Sequence, residues 1–215
     1  MRYATGLLLG LATLALLPGA EVVRLANARL QIGFDAATGA LCELVDRSSG
    51  HDFATGARAL WSVDYAGAGG SHPLDPARAT RFEYQRSGDG GHELRLVWSG
   101  FNLPGAEALR VEVRAQLTGD DPDSRWHIAI AKPRDGSLAQ VRFPLLDGLA
   151  PQPEEFLAVP AWTGELLSAP RRALSTGSAK ARRLAWDYPG RLSLQCLAFY
   201  RRHGPGLYLA CEDAA

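Results

Sequence analysis

Apolar and polar residues alternate along most of the chain after residue 20. Leu30, Ile32 and Phe34, for example, alternate with polar or small residues. A period of two places successive side chains on opposite faces of an extended segment, so this pattern predicts β-strands. Alternating or continuous apolar segments of strand length lie at residues 30–34, 41–46, 61–65, 82–84, 94–98, 109–113, 126–130, 141–143, 156–159, 192–200 and 207–211.

Turn-forming residues separate these segments at intervals of about ten residues. Asp35 to Gly39 predicts a turn in which Gly39 takes a positive φ. Gly119 to Asp123 predicts an acidic hairpin turn; a calcium loop is the alternative, but no glutamate follows at the required spacing. No segment after residue 20 sustains a helical period over three turns. The chain is therefore predicted to be all-β, with about ten to twelve short strands in an antiparallel sandwich or barrel.

Residues 1–20 have a different pattern. A positively charged start precedes an uncharged run rich in Leu and Ala at residues 6–17, and small residues end the segment at Ala20. This is the layout of a secretory signal peptide, and the run is shorter than the ~20 residues that span a bilayer. We expect a signal-peptide helix at 1–20, cleavage after Ala20, and a mature domain at 21–215 that is secreted or periplasmic without a stable membrane span. The alternative is a buried N-terminal helix.

Composition narrows the function classes. The chain has 23 basic and 23 acidic residues, so it offers no basic field for nucleic acid. The sequence contains no nucleophile elbow, zinc-protease helix, phosphate loop or dinucleotide fingerprint. Glycoside hydrolysis uses paired carboxylates, but Glu154 and Glu155 lie beside prolines and predict a solvated turn. We therefore expect no complete catalytic site, no cofactor and no metal.

The three cysteines, Cys42, Cys196 and Cys211, lack the spacing of a metal site. If the last two apolar segments form a hairpin centred on the turn between them, Phe199 lies opposite Tyr208 and Cys196 lies opposite Cys211. A cross-strand disulfide between Cys196 and Cys211 is then one expectation for an oxidising compartment. Two free, buried thiols are the other.

Two tryptophans lie beside carboxylates in the loop-rich region 161–189. Trp162 precedes Glu165, and Trp186 is followed by Asp187. An indole can stack on the apolar face of a sugar, and a carboxylate can accept its hydroxyl protons. These four residues are the predicted substrate-binding patch for a glycan, and tryptophans buried in the core are the alternative.

The order of several short motifs resembles the N-terminal domain of secreted bacterial glycoside-hydrolase-like proteins, either uncharacterised or similar to endo-α-N-acetylgalactosaminidases. The motifs are Phe-Asp-x-x-Thr-Gly-x-Leu at 34–41, Asp-Arg-x-x-Gly at 46–50, Val-Arg-Phe-Pro at 141–144, Pro-Ala-Trp-Thr-Gly at 160–164 and a closing hairpin within 188–209. The resemblance implies a large antiparallel β-sandwich of the galactose-mutarotase-like kind, a supersandwich, which precedes a catalytic (β/α)8 barrel.

In that family the resemblance assigns the catalytic carboxylates to the barrel, which would follow Ala215. We therefore expect a fragment: a non-catalytic accessory domain that is inactive alone, supports the missing barrel and contacts glycan. A free-standing carbohydrate-binding or structural cell-surface module is the first alternative. A mutarotase-like epimerase is the second, although its chemistry needs a histidine and a carboxylate in one cleft, and residues 161–189 contain no histidine.

Overall fold

The computed structural model describes residues 21–67, 70–88, 91–174 and 184–212. In these residues the fold is all-β with antiparallel sheets, as the alternation predicted. Helical structure is short: it includes a 3-10 turn at Pro76–Arg78 and a single helical turn, α1, at Pro170–Ala173. The predicted signal peptide lies outside the described residues. None of the described helices has the length and hydrophobicity to span a membrane.

Within the described residues the chain forms fifteen strands. Their bounds are β1 Val22–Ala26, β2 Leu30–Asp35, β3 Leu41–Asp46, β4 His51–Asp52, β5 Ser62–Gly67, β6 Gly70–Leu74, β7 Ala79–Ser87, β8 Glu93–Phe101, β9 Arg110–Leu117, β10 Ser124–Ala131, β11 Ser137–Arg142, β12 Glu155–Val159, β13 Glu165–Ser168, β14 Cys196–Arg201 and β15 Gly206–Ala210. Every predicted segment overlaps one of these strands, although residues 192–195 precede β14, and β1, β4, β6 and β13 were not predicted.

The strands form four sheets among the described residues. The first sheet has the order β1-β2-β3-β4 and the second the order β10-β9-β8-β7, so both are built from successive hairpins. The third sheet, β11-β5-β6, brings β11 back beside β5 from a distant part of the chain. The fourth sheet has the order β13-β12-β14-β15 and contains only residues from Glu155 onwards.

The first three sheets share one hydrophobic core. Trp61 and Trp98 are fully buried and meet edge to face, with ring centroids 5.6 Å apart and an interplanar angle of 73°. The indole Nε1–H of Trp98 donates to the Thr38 carbonyl oxygen at 2.8 Å. Thr38 lies in the turn between β2 and β3, which also contains Gly39 at φ 70°. A Cβ on this glycine would lie 2.5 Å from the Trp98 ring. The predicted turn with a positive φ is therefore confirmed, and packing excludes a larger residue there.

The predicted acidic turn before β10 is also confirmed. The Asp121 N–H donates to the Thr118 carbonyl at 2.9 Å, and the Asp121 carboxylate accepts the Asp123 N–H at 3.0 Å. Asn27, which is buried, donates its side-chain amide to the Asp121 carbonyl at 2.8 Å. The acidic residues thus hold a turn that is attached to the end of β1.

The hairpin register predicted for the last two strands is wrong by one residue. Phe199 pairs with Leu207, and Cys196 pairs with Ala210. Gly206 belongs to the strand and not to the turn, which shortens the loop. Because side chains alternate along a strand, a shift of one residue places Cys196 and Cys211 on opposite faces. All three cysteines are free thiols, so this hairpin does not provide the expected disulfide geometry.

Candidate functional site

Trp162 stands on a tight turn between β12 and β13. Trp162 is 72% exposed, although the residue before it, Ala161, is fully buried. The Gly164 N–H donates to the Ala161 carbonyl at 2.8 Å and closes the turn. Trp162 takes φ 55°, a left-handed conformation that a bulky residue rarely adopts. The buried residue anchors the turn, and the turn directs the tryptophan into solvent.

Backbone hydrogen bonds join this turn to a second loop. The Trp162 N–H donates to the Arg191 carbonyl at 2.9 Å. The Ser193 N–H and hydroxyl both donate to the Pro160 carbonyl, at 2.9 and 2.8 Å. We call residues 160–165 and 186–193 the tryptophan loops. The structure therefore brings together the two segments that the sequence analysis assigned to one patch.

The four predicted patch residues differ in exposure. Glu165 and Asp187 are exposed, as is Trp162, whereas Trp186 is half-buried. The Asp187 carbonyl accepts the Leu192 N–H at 3.1 Å, which closes the second loop. In the part of the chain that the structure describes, neither Glu165 nor Asp187 forms an ion pair, so both carboxylates can accept hydrogen bonds from a ligand.

The prediction that Glu155 belongs to a solvated turn is wrong. Glu155 is 6% exposed, and its carboxylate accepts the Arg171 Nε–H at 2.6 Å and the Gln152 N–H at 2.8 Å. It begins β12, where it shares with Leu157 and Val159 the side of the strand that faces the protein. Its neighbour Glu154 is exposed. Only the β12 alternation could have indicated this burial from the sequence, since Arg171 lies sixteen residues away.

A shallow cleft of about 380 Å³ lies beside this ion pair at the end of the fourth sheet. Its wall includes Gln152, Phe156, Arg172 and Arg202, and the Arg202 guanidinium lies 5.7 Å from the centre of the Phe156 ring. Arg202 also approaches the Glu154 carboxylate at 3.5 Å, between two exposed side chains. Such exposed pairs contribute little to stability. The sequence did not indicate this cleft, because its residues come from separate strands, loops and the α1 turn.

Two further observations concern metal ligands and the Cys42 thiol. In residues 21–67, 70–88, 91–174 and 184–212, no three His, Cys, Asp or Glu side chains are grouped so as to hold a metal ion. Burial, together with the neighbouring carboxylates of Glu43 and Asp35, raises the pKa of the Cys42 thiol to about 11. This thiol is therefore protonated at neutral pH and is a poor nucleophile.

No protein-family model matches the chain, and no curated protein matches its sequence. Function is therefore argued from the residues of this chain.

Proposed function

We propose that this chain is a non-catalytic, carbohydrate-associated domain that contacts glycan through its tryptophan loops. The observation that carries the proposal is the 72% exposure of Trp162 on a turn with a hydrogen-bonded backbone. An exposed indole is costly in water, and a pyranose ring offers an apolar face of matching size. Because the turn is anchored by buried Ala161, little conformational entropy is lost when a ligand binds.

The chemistry around the indole fits a sugar. Glu165 and Asp187 are exposed carboxylates on the tryptophan loops and can accept hydrogen bonds from sugar hydroxyls. The half-buried Trp186 supplies further apolar surface on the second of the tryptophan loops. This combination of a flat apolar surface with a few polar groups is typical of binding sites that orient a small polar ligand.

The proposal includes a place in a larger enzyme. The order of motifs supports an N-terminal accessory domain of a secreted glycoside hydrolase whose (β/α)8 barrel carries the catalytic carboxylates. The pattern of residues 1–20 supports export to the periplasm or the medium. N-terminal sequencing of protein exported by a bacterial host should begin at Glu21; an uncleaved Met1 would contradict the signal peptide.

We further propose that the sheets form a galactose-mutarotase-like sandwich. Two observations support it: the core is shared by three sheets, and the Phe34 and Trp126 rings, from the first and second sheets, lie 5.9 Å apart. A crystal structure tests this. A sandwich requires two sheet layers stacked face to face at about 10 Å, whereas sheets arranged radially about one axis would contradict it.

Glycan-array binding tests the function. The wild-type chain should bind a subset of glycans, and Trp162→Ala should weaken that binding about tenfold through the lost stacking. Tyr84→Ala is the matched control, since Tyr84 is an exposed aromatic on β7, and it should bind like the wild type. An array without any binding by folded protein would overturn the glycan contact.

Catalysis is tested separately. The purified chain should not hydrolyse aryl-glycosides, because the proposal places the catalytic carboxylates in the barrel. Clear turnover that follows the protein through purification would overturn the non-catalytic assignment. The same exposed indole also supports a free-standing carbohydrate-binding module; an open reading frame for alternating strands and helices after codon 215 would favour the accessory domain instead.

A further inference from the structure

The outer face of the fourth sheet is apolar. The strand register places Leu166, Ala158, Ala198 and Tyr208 in one row across all four strands. Leu166 and Tyr208, at the two ends of the row, are 61% and 64% exposed. The opposite face is directed towards the protein, since Leu207 packs against the core. The row is therefore solvent-facing.

The next row across the fourth sheet is also uncharged. It contains Ser168, Phe156, Tyr200 and Gly206, and the Phe156 and Tyr200 rings stack with centroids 5.7 Å apart. Neither row contains a charged residue. Antiparallel sheets commonly alternate apolar residues inside with polar residues outside. These two rows depart from that rule and leave the surface beside the β15 edge without a charged residue.

One edge of this sheet lacks the usual protection against strand pairing. Edge strands are normally blocked by a charged residue or a proline. Among the described residues, seven of the eight sheet edges have one: β1 has Arg24, β4 Asp52, β6 Pro73, β7 Arg81, β10 Arg125, β11 Arg142 and β13 Glu165. The eighth, β15, has neither, because its sequence is Gly-Leu-Tyr-Leu-Ala.

The backbone of β15 is oriented for pairing. The Cys211 N–H donates to the Gln195 carbonyl at 2.8 Å. Hydrogen-bonded pairs alternate in an antiparallel ladder, so Leu207 and Leu209 direct their backbone groups to β14. Tyr208, between them, directs its N–H and C=O away from the sheet. The open edge thus presents backbone groups centred on Tyr208.

We infer that β15 pairs with β15 of a second copy of the chain, so that the two fourth sheets form one continuous sheet. The sequence of β15 has the same residue types in both directions from Tyr208: a leucine on each side, then a small residue. A two-fold axis at Tyr208 therefore pairs Leu207 with Leu209 of the other copy and lets the two Tyr208 residues exchange both backbone hydrogen bonds. Such self-complementarity is what a symmetric dimer requires.

Charge also favours a second copy. In the same register Gly204 of one copy lies opposite Glu212 of the other, so the basic turn containing Arg202 and His203 approaches an acidic strand end. Arg202 and Glu212 are both exposed, and the Arg202 guanidinium also approaches Glu154 of its own chain at 3.5 Å. The interaction occurs twice in the dimer, and it opposes a parallel arrangement of the strands, which would bring like charges together. This interface is independent of the proposed glycan contact.

A charge exchange at position 208 tests the two-fold axis. Sedimentation velocity should show a dimer for the wild type and monomers for Tyr208→Lys and for Tyr208→Glu alone, because like charges then meet on the axis and weaken association by about a hundredfold or more. An equimolar mixture of the two variants should recover the dimer. Leu166→Lys, at the opposite edge of the same face, is the matched control and should remain dimeric.

Several outcomes overturn the inference. A wild type that is monomeric at every concentration, charge variants that dimerise alone, a mixture that stays monomeric, or loss of the dimer in Leu166→Lys would each do so. Circular dichroism checks that the variants are folded. Should the charged variants misfold, Ala210→Pro provides a second test, because it removes an outward N–H without adding charge and should also give a monomer.

Discussion

The second and fourth sheets each have four antiparallel strands, but the residues on their outer faces differ in charge. In β9 of the second sheet, buried Val111 and Val113 alternate with Arg110, Glu112 and other polar residues that face outwards. In β14 of the fourth sheet every residue is half-buried, and the outer rows are uncharged. The outer face of the second sheet thus has the charged residues that are usual on a solvent-facing surface. The fourth sheet instead presents apolar residues, which proteins usually bury, on its outer rows.

The outward charges of the second sheet are organised around one carboxylate. Glu112 is contacted by Arg95 at 2.6 Å and by Arg114 at 2.9 Å. Hydrogen bonds from these guanidinium groups lower the pKa of the Glu112 carboxyl to about 2. The fourth sheet has its main ion pair, Glu155 with Arg171, at the end of a strand and on the inner side. Among the described residues, the two outer rows of the fourth sheet contain no comparable network of charges.

The largest difference should appear when a leucine is shortened in each sheet. Leu96→Ala, at a fully buried position of β8, should lower the free energy of unfolding by about 2–5 kcal/mol because it leaves a cavity. Leu166→Ala, at an exposed position of β13, should change it by less than about 0.5 kcal/mol. Urea unfolding of both variants at matched, dilute protein concentration measures the contrast. Equal losses would show that the outer face is packed within a single chain.

A smaller effect is expected from the inner ion pair of the fourth sheet. Arg171→Ala leaves the buried Glu155 carboxylate without its guanidinium partner, which should cost about 1–3 kcal/mol. Arg202→Ala removes an exposed ion pair and a guanidinium contact with the Phe156 ring, and should cost less than about 1 kcal/mol. Thermal and urea unfolding compare the two variants. If Arg202→Ala is the more harmful, the inner pair is not what stabilises this end of the sheet.

Acid should affect the second sheet through Glu112. Because the folded pKa of Glu112 lies at about 2, below its ordinary 4.5, this group contributes stability above pH 4.5 and loses it as the pH falls towards 2. Glu112→Gln should be less stable at neutral pH by about 1 kcal/mol. It should also show a weaker fall of unfolding free energy across that pH range. Glu165→Gln, in the fourth sheet, is the control and should follow the wild-type curve.

The smallest effect on stability is expected from Trp162→Ala. A residue that is 72% exposed contributes little buried surface, so the free energy of unfolding should change by less than about 0.5 kcal/mol. Calorimetry of the variant measures this directly. A loss above 1 kcal/mol would indicate that the indole packs against the protein and is not a binding platform.

Local patterns predicted much of the fold. Alternation located eleven of the strands, and the Asp35–Gly39 turn followed from the conformations that its residues prefer. The loop-rich region 161–189 was predicted less well, because β13 lies within it. Short strands such as β13 are held by backbone pairing with β12, which leaves little trace in side-chain pattern.

The candidate site was predictable only in part. Pairing each tryptophan with a nearby carboxylate located both tryptophan loops, since those residues are close in the chain. The sequence did not indicate that Trp162 is exposed and Trp186 half-buried. That difference depends on the buried Ala161 and on the hydrogen bond to Arg191, which join distant parts of the chain.

By itself, the sequence determined the all-β class, the positions of most strands and the turn at Gly39, because a period of two and turn preferences are local properties of the chain. Tertiary structure decided the register of the last hairpin, the burial of Glu155 against Arg171 and the uncharged outer face of the fourth sheet. These depend on which strands become neighbours. A shift of one residue in the pairing of two strands moves each side chain to the other face of the sheet. The alternation of apolar and polar residues is compatible with either register.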